Sequence, residues 1–151
     1  GDERTATAMQ DLRSLRQAFR QLDKIAPDLN RAMIEDIQQR SEELFQQCVS
    51  SLEKTLQLWK TAESLASETA RKPILEQREK LVDDVVQTVE HMSRTLASVQ
   101  GITNRSDGDI RLQRLRGELD QSMEVAKKVE QRVDSLLTGV RVHNLSGINK
   151  P

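Results

Sequence analysis

Residues 82–99 of the 151-residue chain read VDDVVQTVEHMSRTLASV and place an apolar side chain at alternating steps of three and four. This heptad spacing is typical of a helix that buries one stripe against another helix. The apolar positions are Val82, Val85, Val89, Met92, Leu96 and Val99. A second stretch repeats the alternation after a short polar loop at 101–109, with Leu112, Leu115, Leu119, Ser122, Ala126, Val129, Val133 and Leu136. We expect these two helices to pack as an antiparallel hairpin.

Two further helices precede this hairpin. The first has apolar residues at helical spacing up to Ile25, and Pro27 then marks a corner. The second runs without Gly or Pro as far as Lys72, and Pro73 fits the first turn of the next helix. The predicted helices cover about 3–25, 28–71, 73–100 and 109–138, and Gly139 begins a tail at 139–151. The predicted fold is all-α: one module at 1–138, a three- or four-helix bundle or coiled coil of long antiparallel helices.

Composition excludes several classes of protein. Charged residues make up 31% of the chain and aromatic residues 2%, which suits long helices and disfavours a β-sheet. A net charge of −1 lacks the basic excess of a nucleic-acid-binding protein. No apolar run approaches the length of a membrane span, so we expect a cytoplasmic protein that does not bind membranes. The chain begins with Gly1 instead of Met, which indicates a cut or processed piece of a longer protein.

We find no pattern typical of catalysis or of a cofactor. His91 and His143 lack a glutamate three positions earlier, where Thr88 and Val140 stand, so the ligand motif of di-iron bundles is missing. Phosphate-binding and zinc-protease motifs are also missing. Cys48 lies within an apolar helical stripe, which predicts a buried thiol. The sequence therefore predicts a non-enzymatic protein without a metal or an organic cofactor.

An apolar partner surface is expected on the first half of the second helix. Helices at 73–100 and 109–138 are too short to cover a helix at 28–71 beyond about Phe45. The first half would then have only the first helix as a neighbour, and exposed apolar patches usually mark interaction sites. The surface would bind a helical partner or a second copy through Leu15, Phe19, Leu22, Met33, Ile34, Ile37 and Leu44. A helix break near Ser50 would instead give a compact four-helix bundle.

Charged side chains suggest two further features. The first helix has a basic stripe, whose members are Arg13, Arg16, Arg20 and Lys24, and the second helix begins with acidic residues. These stripes are expected to pair along the edges of the helix seam. Arg105, Arg111 and Arg114 gather where the fourth helix begins, against the sign of the helix dipole. We interpret them as solvated charge or as a docking point for a carboxylate-bearing partner.

The segment from Ser50 to Leu137 resembles spectrin-type repeats, in which a long helix with a tryptophan, here Trp59, is followed by heptad helices. The second tryptophan usual in their last helix is missing, and Leu119 stands in that region. The resemblance implies a spacer or docking module of a cytoskeletal or scaffolding chain. We expect a structural or protein-interaction module. The alternatives are the helical sensor domain of a membrane receptor and a peripheral coiled coil that remodels membranes.

Overall fold

Helices account for nearly all of the described residues. The computed structural model describes residues 3–25, 29–100 and 105–148, together with the side chains up to 135 except those of Ile25, Arg105 and Ser106. No β-strand occurs in these ranges, so the predicted all-α bundle is confirmed. The helices are α1 (Glu3–Arg20), α2 (Leu22–Ile25), α3 (Arg31–Ser64), α4 (Glu68–Gln100) and α5 (Arg105–Ile148).

The three long helices form a triangular bundle, and α1 packs against one of its faces. Helices α3 and α5 run in the same direction, because Arg40 pairs with Asp120 and Ser50 donates to Glu130, both eighty residues further on. Helix α4 runs antiparallel to both. Helix α1 lies between α3 and α4: its Arg4 pairs with Asp83 of α4 at 2.9 Å, while Arg16 pairs with Glu42 of α3.

The number of helices that contribute side chains to the core changes along the bundle. At one end it contains side chains from α1, α3, α4 and α5, and the Phe19 and Phe45 rings meet edge to face at 5.8 Å. At the other end it contains side chains from α3, α4 and α5 alone, namely Leu58, Ala62, Ile74, Leu81 and Val133. Helix α1 therefore adds a fourth helix to only part of the bundle.

The turn between α3 and α4 comes earlier than predicted. Helix α3 ends at Ser64, and the Ser67 hydroxyl accepts a hydrogen bond from the Ala70 backbone amide at 3.3 Å, which caps α4. The Arg71 guanidinium donates to the Leu65 carbonyl across the turn at 2.8 Å. The predicted boundary at 71–73 is therefore wrong. Pro73 is the sixth residue of α4 and lies in its second turn, where it removes one helical amide hydrogen bond.

Helix α3 is continuous through the two serines at its middle. Ser51 is buried and Ser50 reaches Glu130 of α5, so both stay helical within the packed bundle. The alternative of a break near Ser50 does not occur, and the continuous helix that the sequence favours is the one observed. The helix begins at Arg31, because the Asn30 side chain accepts from the Met33 amide as an N-cap. The corner predicted at Ala26–Asp28 lies outside the described residues.

Helix α5 is longer than predicted at both ends. It begins at Arg105 instead of 109, with the Asp107 carboxylate in the first turn, where the helix dipole favours a negative charge. It continues to Ile148, so most of the predicted tail is helical. Gly139 does not end the helix, because no glycine in the described backbone has the positive φ that a C-cap requires. Residues 101–104 of the predicted loop and 149–151 of the tail lie outside the described ranges.

Candidate functional site

The apolar partner surface predicted on the first half of the second helix is buried inside the chain. Phe19, Leu22, Ile34, Ile37 and Leu44 each expose 2% of their surface or less. Leu15 and Met33 are half-buried and pack against the same core. The prediction of an exposed surface is therefore wrong, and these side chains hold α1 and α3 in the bundle.

The early turn after α3 explains this difference. Because α4 starts at Glu68, it has 33 residues and matches the 34 residues of α3. Helix α5 also reaches the beginning of α3, where Arg116 pairs with Asp36 at 3.0 Å. Both helices thus cover the first half of α3, which the sequence interpretation left to α1 alone.

The three arginines predicted to form a docking point have different surroundings. The Arg111 guanidinium donates to the Ser98 carbonyl of α4 at 2.8 Å and pairs with Asp107 at 3.2 Å. Arg114 is exposed and lines a cleft together with Arg111. The Arg105 side chain is outside the described residues. The structure therefore brings two of the three together, and one of these two is already bound to α4.

The basic stripe of α1 pairs with α3 in part, as the charge pattern predicted. Arg16 and Arg20 both donate to Glu42, and these hydrogen bonds hold the pKa of the Glu42 carboxyl below its ordinary value. Burial raises the pKa of Glu42 by less than the arginines lower it. Gln38 adds hydrogen bonds to the last carbonyls of α1, at Phe19 and Arg20. These contacts close the end of α1 against α3.

The other end of α1 opens onto an apolar groove. It has a volume of about 680 Å³ and lies where α1 begins, between α3 and Arg78 of α4. Its walls include Thr5 and Met9 from α1 and Leu52, Leu56 and Trp59 from α3. These three residues of α3 belong to the same helical stripe as Phe45, which lies earlier in α3 and packs against α1. We call this feature the Trp59 groove.

The Trp59 groove exposes apolar side chains against which another helix could pack. Leu56 is 53% exposed and Trp59 is 39% exposed, although the residue directly before each of them in α3 is buried. The Thr5 hydroxyl is buried without a hydrogen-bond partner among the described residues. At its edges lie the Glu53 carboxylate and the Arg78 guanidinium, which pairs with Glu79. The groove is thus apolar at its centre and charged at its rim.

The sequence interpretation missed this groove although a signal was present. Leu56 and Leu58 widen the apolar stripe of α3, and a wide apolar face is typical of a helix that contacts more than one neighbour. Of the residues in this stripe, Leu52, Leu56 and Trp59 line the groove.

The described residues contain few groups that could act as a reactive side chain or as a metal ligand. Burial raises the pKa of the Cys48 thiol to about 12, so the predicted buried thiol is confirmed. Among the residues described, no three His, Cys, Asp or Glu side chains come together as metal ligands. His91 lies 3.9 Å from Glu118 of α5, at the edge of the hairpin. None of the described helices has the length and hydropathy needed to cross a membrane.

Comparison with known protein families, with curated proteins and with solved structures found no match for this chain.

Proposed function

We propose that this chain is a non-catalytic protein-interaction module that binds an amphipathic helix of a partner protein in the Trp59 groove. The observation that carries the proposal is the exposure of Leu56 and Trp59 in the wall of the groove, in line with residues that α1 covers. Exposed apolar patches next to a packed core are common at interaction sites, and tryptophan is enriched where partners bind most tightly.

A helix is the ligand that fits this groove because a helix already occupies its continuation. Helix α1 buries Ala8, Leu12 and Phe19 against α3 and α4, at the spacing of one helix face. A partner helix in line with α1 would meet the next turns of the same α3 stripe, from Leu52 to Trp59. Helix-in-groove binding of this kind depends on apolar anchors three and four residues apart.

The charges at the rim define the partner further. Glu53 on α3 offers a carboxylate in the lining of the groove. Near it, Arg4 at the start of α1 pairs with Glu79 and Asp83 of α4. We expect a partner helix with leucine or phenylalanine on one face and with arginine or lysine beside it, because such flanking charges set partner choice between packed helices.

The intrinsic fluorescence of the chain tests this proposal directly, because Trp59 is its one tryptophan and tyrosine is absent. The probe is a 16-residue peptide with leucines on one helical face and arginines beside them; its control has the same composition in scrambled order. We expect the amphipathic peptide to shift the Trp59 emission to shorter wavelength as the indole loses water. Leu56→Asp should weaken binding at least about tenfold, because it places a charge against an apolar ligand.

The matched control is Ile110→Asp, which changes an equally exposed apolar residue of α5 outside the groove. It should leave the titration unchanged. Three results would overturn the proposal: no emission change with peptide at about 1 mM, equal responses to both peptides, or equal affinity of the Leu56→Asp variant. Circular dichroism would verify that both variants keep the helical content of the parent.

A second candidate is the spacer function that the resemblance to spectrin-type repeats implies. It is supported by the up, down and up order of α3, α4 and α5, which is the order of helices in a three-helix unit. A spacer needs an intact core but no ligand in the Trp59 groove. In a cell-based assay of the full-length protein, Leu56→Asp would therefore leave a spacer active and would disable a helix-binding module.

A further inference from the structure

Two walls of the Trp59 groove, one from α1 and one from α4, are joined by charged side chains. Thr5 belongs to the wall formed by α1, and Arg78 belongs to the wall formed by α4. Arg4 directly precedes Thr5 in the sequence, and Glu79 directly follows Arg78. The carboxylate of Glu79 accepts hydrogen bonds from both Arg4 and Arg78, so it connects the two walls.

The Glu79 carboxylate uses a different oxygen for each guanidinium. Its Oε2 accepts from Nη2 of Arg4, and its Oε1 accepts from Nη1 of Arg78 at 3.2 Å. The other terminal nitrogen of Arg4, Nη1, donates to Asp83 of α4 at 2.9 Å. Because Glu79 and Asp83 are one helical turn apart, the planar guanidinium of Arg4 meets both carboxylates at once. We call these four residues, Arg4, Arg78, Glu79 and Asp83, the Glu79 bridge.

The beginning of α1 depends on this bridge more than its end does. None of residues 3–7 at the beginning of α1 is buried as a whole, and the first buried residue is Ala8. The first turn of a helix also has backbone amides without helical partners, which makes helix ends fray. At the other end of α1, Phe19 is buried and Gln38 donates to the last carbonyls. The ion pairs of Arg4 are therefore a main restraint on the first turn.

Glu79 acts on the groove from outside it. Glu79 is not part of the groove lining, and its side chain is 53% exposed. Arg78 does line the groove, and its side chain is only 13% exposed. An isolated ion pair at such a surface contributes little, whereas a network of several charges contributes more. The Glu79 bridge is such a network, because it links three charged residues of α4 to one of α1.

From this arrangement we infer that Glu79 is a positioning residue of the Trp59 groove, which holds the first turn of α1 and the Arg78 side chain at the spacing that a partner helix requires. The inference rests on the proposed function, because it names the residue that shapes the groove for that partner. A preformed groove binds more tightly than a loose one, since less ordering entropy is lost on binding. Without the bridge, the first turn of α1 moves more freely and water reaches Trp59 more easily.

Acrylamide quenching of the Trp59 emission tests this wall without any partner. Acrylamide is neutral, so a change of charge near the indole does not by itself attract or repel it. We expect Glu79→Gln and Arg4→Gln each to raise the quenching constant of the unliganded chain, because the indole becomes more accessible. The matched control is Glu76→Gln, which changes an exposed glutamate of α4 that forms no ion pair with any described residue. It should leave the quenching constant unchanged.

Titration with the amphipathic, arginine-bearing peptide then measures the effect on binding. Glu79→Gln and Arg4→Gln should each weaken binding about threefold, which is the scale of an exposed ion-pair network. Arg4→Gln separates positioning from general charge, because the loss of a positive charge would by itself attract a basic peptide more strongly. The double variant should weaken binding by less than the product of the two single effects, since both remove the same bridge. Circular dichroism and urea denaturation verify that each variant stays folded.

Unchanged quenching in both single variants would overturn the inference, and so would an Arg4→Gln variant that binds the peptide as tightly as the parent. An equal effect of Glu76→Gln would overturn it as well, because the groove would then respond to charge alone. A parent chain that binds no peptide would contradict the proposed function instead. Increased quenching in the two variants would still support the bridge in that case, so the two failures are distinct.

Discussion

The Lys54 ammonium of α3 lies 2.6 Å from the Asp134 carboxylate and 2.5 Å from that of Glu130, both on α5. Its side chain is only 16% exposed, and Gln47 and Ser50 donate to Glu130 beside it. Burial opposes the ammonium charge, but the hydrogen bonds to Asp134 and Glu130 outweigh that effect, and the pKa of Lys54 is raised. This cluster joins the two helices that run parallel.

Replacing Lys54 should therefore destabilise the bundle more than replacing an exposed lysine. Lys54→Met leaves the Glu130 carboxylate partly buried without its cation, which should lower the free energy of unfolding by about 2 kcal/mol. Urea denaturation followed by circular dichroism measures the change. Lys60→Met, at an exposed lysine of the same helix that forms no ion pair with a described residue, is the control. Equal stability of the two variants would contradict the assigned role of Lys54.

The hairpin of α4 and α5 gives a second test. Val89 and Leu119 are both buried in the heptad seam, with 6% and 2% exposure. Changing either residue to Asp places an unpaired charge in this seam, and we expect each variant to lose at least about 3 kcal/mol of stability or to unfold. Thermal melts provide the measurement, with Glu90→Asp as an exposed neighbour. Melting temperatures within about 2 °C of the parent would contradict the seam.

The sequence was sufficient for the fold class and for most of the buried stripe. Period-3.6 patterns predicted four of the five helices, and heptad positions such as Val89 and Leu119 lie in the core. These predictions succeed because burying one apolar face is the main source of stability for a helix. The spacing of apolar residues along the sequence identifies that face. The charge pattern predicted in the same way that the basic stripe of the first helix pairs with acidic residues of the second, and Arg16 with Glu42 is one such pair.

Helix ends were predicted less well because short polar residues decide them locally. The sequence predicts the beginning of a helix at Pro73, whereas the Ser67 hydroxyl caps α4 six residues earlier. Both residues favour the start of a helix, and the choice between them depends on tertiary packing. That shift of six residues lets α4 and α5 cover Ile37 and Leu44, whereas Leu56 and Trp59 stay exposed beside the first turns of α1.

The contact between α1 and α3 should respond to acid. Arg16 and Arg20 lower the pKa of Glu42, so the stability that this carboxylate contributes is present above its ordinary value of 4.5. It is lost as the pH falls through the lowered pKa of the folded state. We expect Glu42→Gln to be less stable than the parent at pH 7 and the difference to shrink below pH 4.5. Urea titrations at several pH values measure this, with Glu63→Gln as an exposed control.

A difference between parent and Glu42→Gln that stays constant from pH 7 to pH 3 would contradict this linkage. The Phe19 and Phe45 contact should be unaffected by the same change of pH, because neither ring titrates. Phe19→Leu provides the comparison: it removes the ring contact and should destabilise the chain by a similar amount at every pH.

Cys48 allows the opening of the core to be measured without any mutation. Its thiol is buried between α3 and its neighbours, and burial raises its pKa to about 12. Alkylation requires the thiolate, so the folded chain should resist iodoacetamide at pH 8 for two reasons: little thiolate forms, and the reagent has no access. In urea, where the pKa returns towards its ordinary value of 9.0, the one cysteine should react at the rate of a free thiol.

Modification of the native chain should therefore follow the fraction of molecules that open. Lys54→Met should raise the alkylation rate by the same factor by which it raises the unfolded fraction, because Cys48 lies in the core beside that helix pair. Mass spectrometry of timed samples gives the rate. Leu56→Asp should leave it unchanged, since Leu56 is exposed in the Trp59 groove and contributes little to the core. Rapid alkylation of the folded parent at pH 8 would show that the core around Cys48 opens without global unfolding, and it would contradict the packing of α3 described above.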